Sequence, residues 1–185
     1  FMTKWANDVT DSQSAAGAVP AVVPGVIPDL KDGGPAWADA AVICPWTIYL
    51  AYGDKSILEN NYATMTKFMD YLLNESSNLI RCAPGYKGWM GFGDWLSINA
   101  ETSRDLIGTA FFAYDANLMA QISSVLGKRN DASKYRKLSN DVKKAFQNRY
   151  LKGGTVTAEQ ISEARKLAER EHGISRGNLE VVDYG

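Results

Sequence analysis

The sequence predicts an all-α chain whose helices pair as the inner and outer layers of an α/α toroid or solenoid. Two observations predict it. Apolar residues recur at helical spacing over most of the 185 residues. The helices they mark also alternate in character. Segments 36–52 and 103–126 are nearly apolar, as inner helices covered on both sides must be. Segments 55–74 and 130–151 are amphipathic, as outer helices facing water must be. No motif recurs with a period of about 34–40 residues, which argues against a repeat array.

Residues 1–14 read as the end of a helix, with Phe1, Trp5, Val9 and Ser12 on one side. Prolines at 20, 24, 28 and 35 forbid a helix over 17–35. The valines and isoleucine between them predict an extended segment lying on apolar surface. Helix 36–52 has Pro35 in its first turn, a kink at Pro45 and a stop at Gly53. Its apolar character all round predicts burial on most faces, with Cys44 a buried small hydrophobe. Asp54 caps the next helix, whose inward stripe is Leu58, Tyr62, Met65, Met69 and Leu72. Glycines 85, 88, 91 and 93 mark 77–102 as a Gly/Trp-rich irregular or β-hairpin insertion. So long a loop is often functional. Thr102 and Asp105 form a capping box for helix 103–126, with Leu106, Ile107, Ala110, Phe111, Tyr114, Leu118, Ile122 and Val125 inward. Helix 130–151 turns Tyr135, Leu138, Val142, Ala145, Phe146 and Tyr150 inward. A charged helix at 158–172 follows a second capping box, Thr157 and Gln160.

Composition narrows function. Net charge is −1 and the pI about 5.9, so there is no electrostatic footprint for nucleic acid or an anionic membrane. No apolar run approaches the ~18 residues of a membrane span, and no signal peptide pattern is visible. The compartment stays open between cytoplasm and periplasm. One histidine, His172, leaves no His-based metal cluster and disfavours a Ser/His/Asp triad. No metal or other cofactor is implied. Cys44 and Cys82 have no metal spacing, and a disulfide between them is unsupported. The chain opens in mid-helix pattern, as though cut from something longer.

Two glycine-rich stretches each hold an acid and a tryptophan: GGPAWADAA, 33–41, and GWMGFGDWL, 88–96. Both precede or open an apolar inner helix. In an α/α toroid those ends share a rim, so Trp37, Asp39, Asp94 and Trp95 can converge on one pocket. Carboxylates that accept hydroxyl hydrogen bonds beside indole faces make a sugar site. Structural readings compete. Asp39 in a first helical turn also favours the helix dipole, and Asp94 also suits an Asx-turn. Trp89 fits either class, and Trp5 and Trp46 fit core stripes.

The order of motifs then becomes specific. PAWADAAVICPWTIYLAYGDKSILENNYATMTKFMDYL (35–72), GFGDWLS (91–97) and the run from DLIGTAFFAYDANLMAQ to KKAFQNRYL (105–151) resemble the catalytic domain of bacterial α-L-rhamnosidases. The preceding KWANDVTDSQ and GAVPAVVPGVIPD resemble the stretch before that domain's helix. The resemblance implies part of an (α/α)6 six-hairpin glycosidase over residues 1–151, with 152–185 a charged helix and tail that do not match. A truncated, frameshifted or chimeric reading frame would explain that break. It also implies inverting hydrolysis of terminal α-L-rhamnosides, in which one carboxylic acid protonates the leaving oxygen and a second carboxylate activates water. No residue here matches the family's acidic motif or its downstream glutamate, so no catalytic residue is assigned and the chain alone is expected to be inactive. The binding residues carried over are Trp37, Asp39, Trp89, Asp94 and Trp95, with a rhamnoside as partner. A half-barrel would also self-associate through uncovered inner-helix surface. Another six-hairpin carbohydrate hydrolase and a non-catalytic sugar-binding or helical interaction module are the rival readings.

Overall fold

A computed structural model describes residues 1–27, 33–98 and 102–151. The second capping box, the helix at 158–172 and the rest of the 152–185 tail lie outside the described residues. The chain divides into two units, Phe1–Arg149 and Tyr150–Gly185; the account below is of the first. Its elements are all helical: α1 (Met2–Ser12), α2 (Ala40–Tyr52), α3 (Ser56–Glu75), α4 (Arg104–Val125) and α5 (Arg129–Tyr150). Between α3 and α4 the described residues are irregular, with one isolated antiparallel bridge, Ser77 to Ile80.

The core is where α3 meets α1, α2 and α4. Leu58, Met65, Phe68, Met69 and Leu72 of α3 are sealed from water. They pack with Val9, Val42, Phe112, Met119 and Ile122. Side chains of this size each gain about 1.5–3 kcal/mol on full burial, which is what draws these helices together. Polar groups fix how they meet. The Tyr62 hydroxyl donates to Asp131 Oδ2 at 2.8 Å and lies 2.8 Å from Ser123 Oγ, so one phenol ties α3 to α4 and to α5. Burial and then the Asp131 carboxylate push the Tyr62 pKa up, while the Ser123 bond works against them. Ser139 Oγ donates to the Ala113 carbonyl at 3.0 Å, a second α4–α5 tie.

Several expectations need correction. α2 is not buried on most faces: only Ala41, Val42 and Pro45 are buried, while Leu50 and Tyr52 are exposed. Cys44 is half-buried, and both cysteines are free thiols. Burial raises the Cys44 pKa and pushes that of Cys82 up to about 11, so neither thiol is primed as a nucleophile. The buried stripe of α4 is rotated in its first half. Gly108, Thr109, Phe112, Ala113, Asp115 and Ala116 face inward, whereas Ala110 and Tyr114 are exposed. The Thr102 box does not open α4. Ser103 is the N-cap and makes no side-chain cap bond. Thr102 donates to Asp94, and Asp105 pairs with Arg149 at 2.7 Å. Phe1 is exposed, while Trp5 and Trp46 pack against the core. The proline-rich segment lies on apolar surface at residues 17–20 and 33–35, which are buried, and at Val23, which packs against the core; Val22, Val26 and Ile27 are exposed.

Helix ends follow their chemistry. α2 stops at Gly53, which takes the left-handed conformation at φ 70°. The N-cap of α3 is Lys55, not Asp54, and it makes no side-chain cap bond; Asp54 Oδ1 just ahead of it accepts the Ser56 N–H at 2.8 Å, which lowers the Asp54 pKa. The turn after α1 is pinned to α3. Gln13 Nε2 donates to the Gly17 and Thr64 carbonyls, each at 3.0 Å. Gly17 itself has φ +104°, and a Cβ there would run into the Lys67 carbonyl and meet Tyr71 Cβ at 3.0 Å. Gly17→Ala therefore combines backbone strain with overpacking and should destabilise the chain by about 2–4 kcal/mol. Urea unfolding followed by circular dichroism checks this; a loss under about 0.5 kcal/mol would mean the turn relaxes freely.

Candidate functional site

The two glycine-rich stretches meet. Gly34 lies directly on the backbone of Gly91, so close that a Cβ on Gly34 would overlap it. Pro35 in turn rests on Gly108 of α4, where a Cβ would stand 3.1 Å from Pro35 Cγ. The absence of side chains at these points lets two loops and a helix approach at backbone distance.

Around this contact the aromatic residues gather. Phe92 is the hub. Its ring centroid lies 4.9 Å from those of Trp37 and Trp89 and 4.8 Å from that of Trp95, all edge-to-face. Trp37 and Trp95 are 6.0 Å apart. Such contacts contribute about 0.5–1.5 kcal/mol each beyond their area burial. The cluster is not closed over: Trp37 remains 39% exposed and Trp95 57%. Arg104 braces it by donating Nη1 to the Gly91 carbonyl.

Asp94 is exposed at the edge of this cluster. Its Oδ2 accepts the Thr102 hydroxyl at 2.9 Å, and its backbone carbonyl accepts the Ser97 N–H at 3.1 Å. One carboxylate oxygen is thus engaged within a turn, on a side chain open to water.

Asp39 lies elsewhere. It is fully buried, and both oxygens have donors. Oδ2 accepts the Ala36 N–H at 2.6 Å, and Oδ1 pairs with Arg81 Nη1 at 2.6 Å. Ala36 sits in the left-handed region at φ 71°, a strained conformation for a residue with a Cβ. The Asp39 carboxylate holds that strained turn, and Trp37 is its next residue. Asp39 therefore acts on the aromatic cluster from behind, with no exposed oxygen to offer a ligand.

The buried site continues inward. Arg81 is 5% exposed, and its Cζ stands 5.8 Å from the Phe68 ring centroid. Burial works against its charge, but Asp39 more than offsets this and raises its pKa. The Arg81 N–H donates to Thr109 Oγ1 at 3.2 Å, and that hydroxyl donates to the Asp105 carbonyl at 2.6 Å. Asp115 of α4 is fully buried and acts electrostatically on both Arg81 and Asp39.

Sequence reasoning predicts that Trp37, Asp39, Asp94 and Trp95 converge, with Trp89 fitting either class; the structure gathers Trp37, Trp89 and Trp95 on Phe92, which that reasoning missed along with Arg81 and Asp115, and buries Asp39 behind them. Signals existed. Arg81 is the only charge between Glu75 and Lys87, and Asp115 is the only charge between Asp105 and Lys128. A lone charge on an apolar helix is paired, neutralised or functional.

Comparison with known proteins fits this architecture. Residues 1–169 match the family model of the bacterial α-L-rhamnosidase six-hairpin glycosidase domain. The chain belongs to this family. The six-hairpin domain is an α/α toroid, and the five helices here are part of one. An α-L-rhamnosidase of Streptomyces avermitilis is 40% identical over 164 residues, covering 85% of this chain and 15% of that protein. One from Formosa agariphila is 37% identical over 172 residues, covering 91% of this chain and 18% of that protein. The crystal structure of the S. avermitilis α-L-rhamnosidase complexed with L-rhamnose superposes with a TM-score of 0.74 at 38% identity, over 82% of this chain and 14% of that one. An α-L-rhamnosidase structure from Dictyoglomus thermophilum gives the same TM-score at 28% identity, over 82% of this chain and 17% of that one. This chain thus spans less than a fifth of these relatives' length.

Removing Arg81 from the rhamnosidase-family fold leaves a buried carboxylate without its partner. Breaking such a pair costs about 3–5 kcal/mol. Arg81→Met should lower unfolding free energy by that amount in urea melts. A change below about 1 kcal/mol would show that the turn does not depend on the pair.

Proposed function

We propose that this chain supplies one wall of the rhamnose pocket of an inverting α-L-rhamnosidase. Trp37 and Trp95, backed by Trp89 and Phe92, form the stacking face. Asp94 is the carboxylate that accepts sugar hydroxyls, and Asp39 holds the wall in place. The observation that carries the reading is the half-open indole cluster with an exposed carboxylate at its edge. A sugar has an apolar C–H face and a polar rim, and this wall offers a partner to each. The complex of a family member with L-rhamnose supports the choice of sugar.

In this reading the general acid and base come from outside the chain. No residue matches the family's acidic motif, and inversion needs two carboxyl groups about 6.5–9.5 Å apart with water between them. The chain then binds sugar without cleaving it. L-rhamnose should quench its tryptophan fluorescence saturably, and Trp37→Ala or Trp95→Ala should weaken binding about threefold to tenfold, the size of one lost aromatic stack. p-Nitrophenyl α-L-rhamnoside should stay intact. Turnover by the purified chain, abolished by Asp94→Ala, would overturn the inactive reading. Equal quenching by glucose and rhamnose would point to another six-hairpin carbohydrate hydrolase. No sugar binding at all would favour a helical interaction module.

The apolar surface has its own consequence. Trp95, Leu96 and Ile98 are 57%, 81% and 75% exposed, and Tyr52 on α2 is 81% exposed. Large exposed apolar side chains on the loop and on α2 favour association. Sedimentation velocity should show concentration-dependent self-association, and a single monomeric boundary across a hundredfold dilution would count against it.

A further inference from the structure

The buried cluster behind the aromatic wall has a charge imbalance. Asp39 enters it from the start of α2, Arg81 from the loop after α3 and Asp115 from α4. Asp39 pairs with the Arg81 guanidinium, and Asp115 is a second carboxyl that bears on the same charge. If both were ionised, one negative charge would lie uncompensated and away from water. Keeping a proton on a carboxyl of ordinary pKa at pH 7 costs roughly a thousandfold in equilibrium, far less than burying that charge.

Donor counting says which acid keeps the proton. Asp39 already receives the Ala36 N–H and Arg81 Nη1, a donor on each oxygen. Asp115 receives none: Oδ1 and Oδ2 are both sealed from water without a hydrogen-bond partner. Such a pair of orphan acceptors is costly as a carboxylate, whereas a neutral acid carries its own donor. We infer that Asp115 is a neutral carboxylic acid in the folded protein and that its proton is shared with Asp39. Asp115 is then a positioning residue for the Trp37 turn, acting through Asp39.

The electrostatics agree with the geometry. Burial first, and the neighbouring Asp39 second, hold the Asp115 carboxyl well above the usual carboxylate range, against the pull of Arg81. Neither Asp115 oxygen makes a hydrogen bond of ordinary geometry, yet Asp39 acts on it as a hydrogen-bonding neighbour. The charged groups that bear on Asp115 are Asp39 and Arg81; from α3 comes the Phe68 ring beneath the guanidinium. The inference rests on this turn and not on what the wall binds.

Folding must then take up one proton above pH ~4, where the unfolded aspartate ionises. A raised folded pKa contributes stability that is complete below the unfolded pKa and fades as pH rises toward the folded one. The folding constant of the wild type, divided by that of Asp115→Asn, should therefore fall tenfold per pH unit upward from about pH 5. Infrared spectra of the folded chain at pH 7 should contain the C=O stretch of one neutral acid. It should be absent in Asp115→Asn and kept in Asp94→Asn. The Asn amide can donate to Asp39 as the neutral acid does, so Asp115→Asn should retain the near-ultraviolet dichroism of Trp37, read as the difference from Trp37→Phe. Asp115→Leu should lose it. No neutral-acid band at pH 7, parallel pH curves, or an intact Trp37 signal in the leucine variant would each overturn the inference. If the asparagine variant fails to fold, the infrared band of wild-type chain with isotope-labelled aspartate still decides the protonation state.

Discussion

The Asp39–Arg81 ion pair is the constraint on which the rest of this structure depends. A buried carboxylate and a buried guanidinium must find each other, because neither can stay ionised alone in an apolar interior. Their meeting at 2.6 Å fixes the start of α2 against the loop that follows α3. The Arg81 backbone then reaches Thr109, which brings in α4. Three segments distant in sequence share one junction. The strained Ala36 turn is stable only because the same carboxylate serves it from its other oxygen. Trp37 is displayed at the surface as a result of chemistry that is wholly hidden.

Around this junction the hydrophobic core does the bulk work and the polar ties do the indexing. α3 is the clearest case. Its sealed face of Leu58, Met65, Phe68, Met69 and Leu72 would tolerate many rotations of its neighbours, since apolar burial has no direction. Tyr62 does not tolerate them, because its phenol must reach Ser123 and Asp131 together. Directional bonds of modest net worth thus select one arrangement from those the core permits.

Much of this was legible in the sequence. Helical spacing located all five described helices to within a few residues, and the alternation of apolar and amphipathic segments predicted paired layers. Spacing alone gave Leu58, Met65, Met69 and Leu72 of the buried face of α3, with Tyr62 half-buried beside them, but missed Ile57, Phe68 and Tyr71. The stripe of α4 was less legible, because a helix with Leu106, Ile107, Phe111, Phe112 and Tyr114 has no single apolar side for periodicity to find. Burial there is decided by Gly108 and Thr109, whose small size admits Pro35 and Arg81. Thr102 illustrates a second limit. Its spacing to Asp105 fits a capping box, but Asp94 competes for its hydroxyl from a loop no local rule can place. Asp39 shows the third. The PAWADA motif marks the acid as special, yet only Arg81, 42 positions away, reveals that it faces inward.

The contact of Gly34 with Gly91 separates two properties that protein surfaces usually couple. Most walls keep their shape through the side chains that also make their contacts, so altering one disturbs the other. Here the spacing between the two loops is set by backbone against backbone at the Gly34–Gly91 seam, which Pro35 flanks and Arg104 braces through the Gly91 carbonyl. Residues flanking it, Trp37 on one side and Phe92 and Trp95 on the other, can be exchanged without moving the frame that carries them. Such a frame allows the chemistry of a surface to diversify while its geometry is inherited intact.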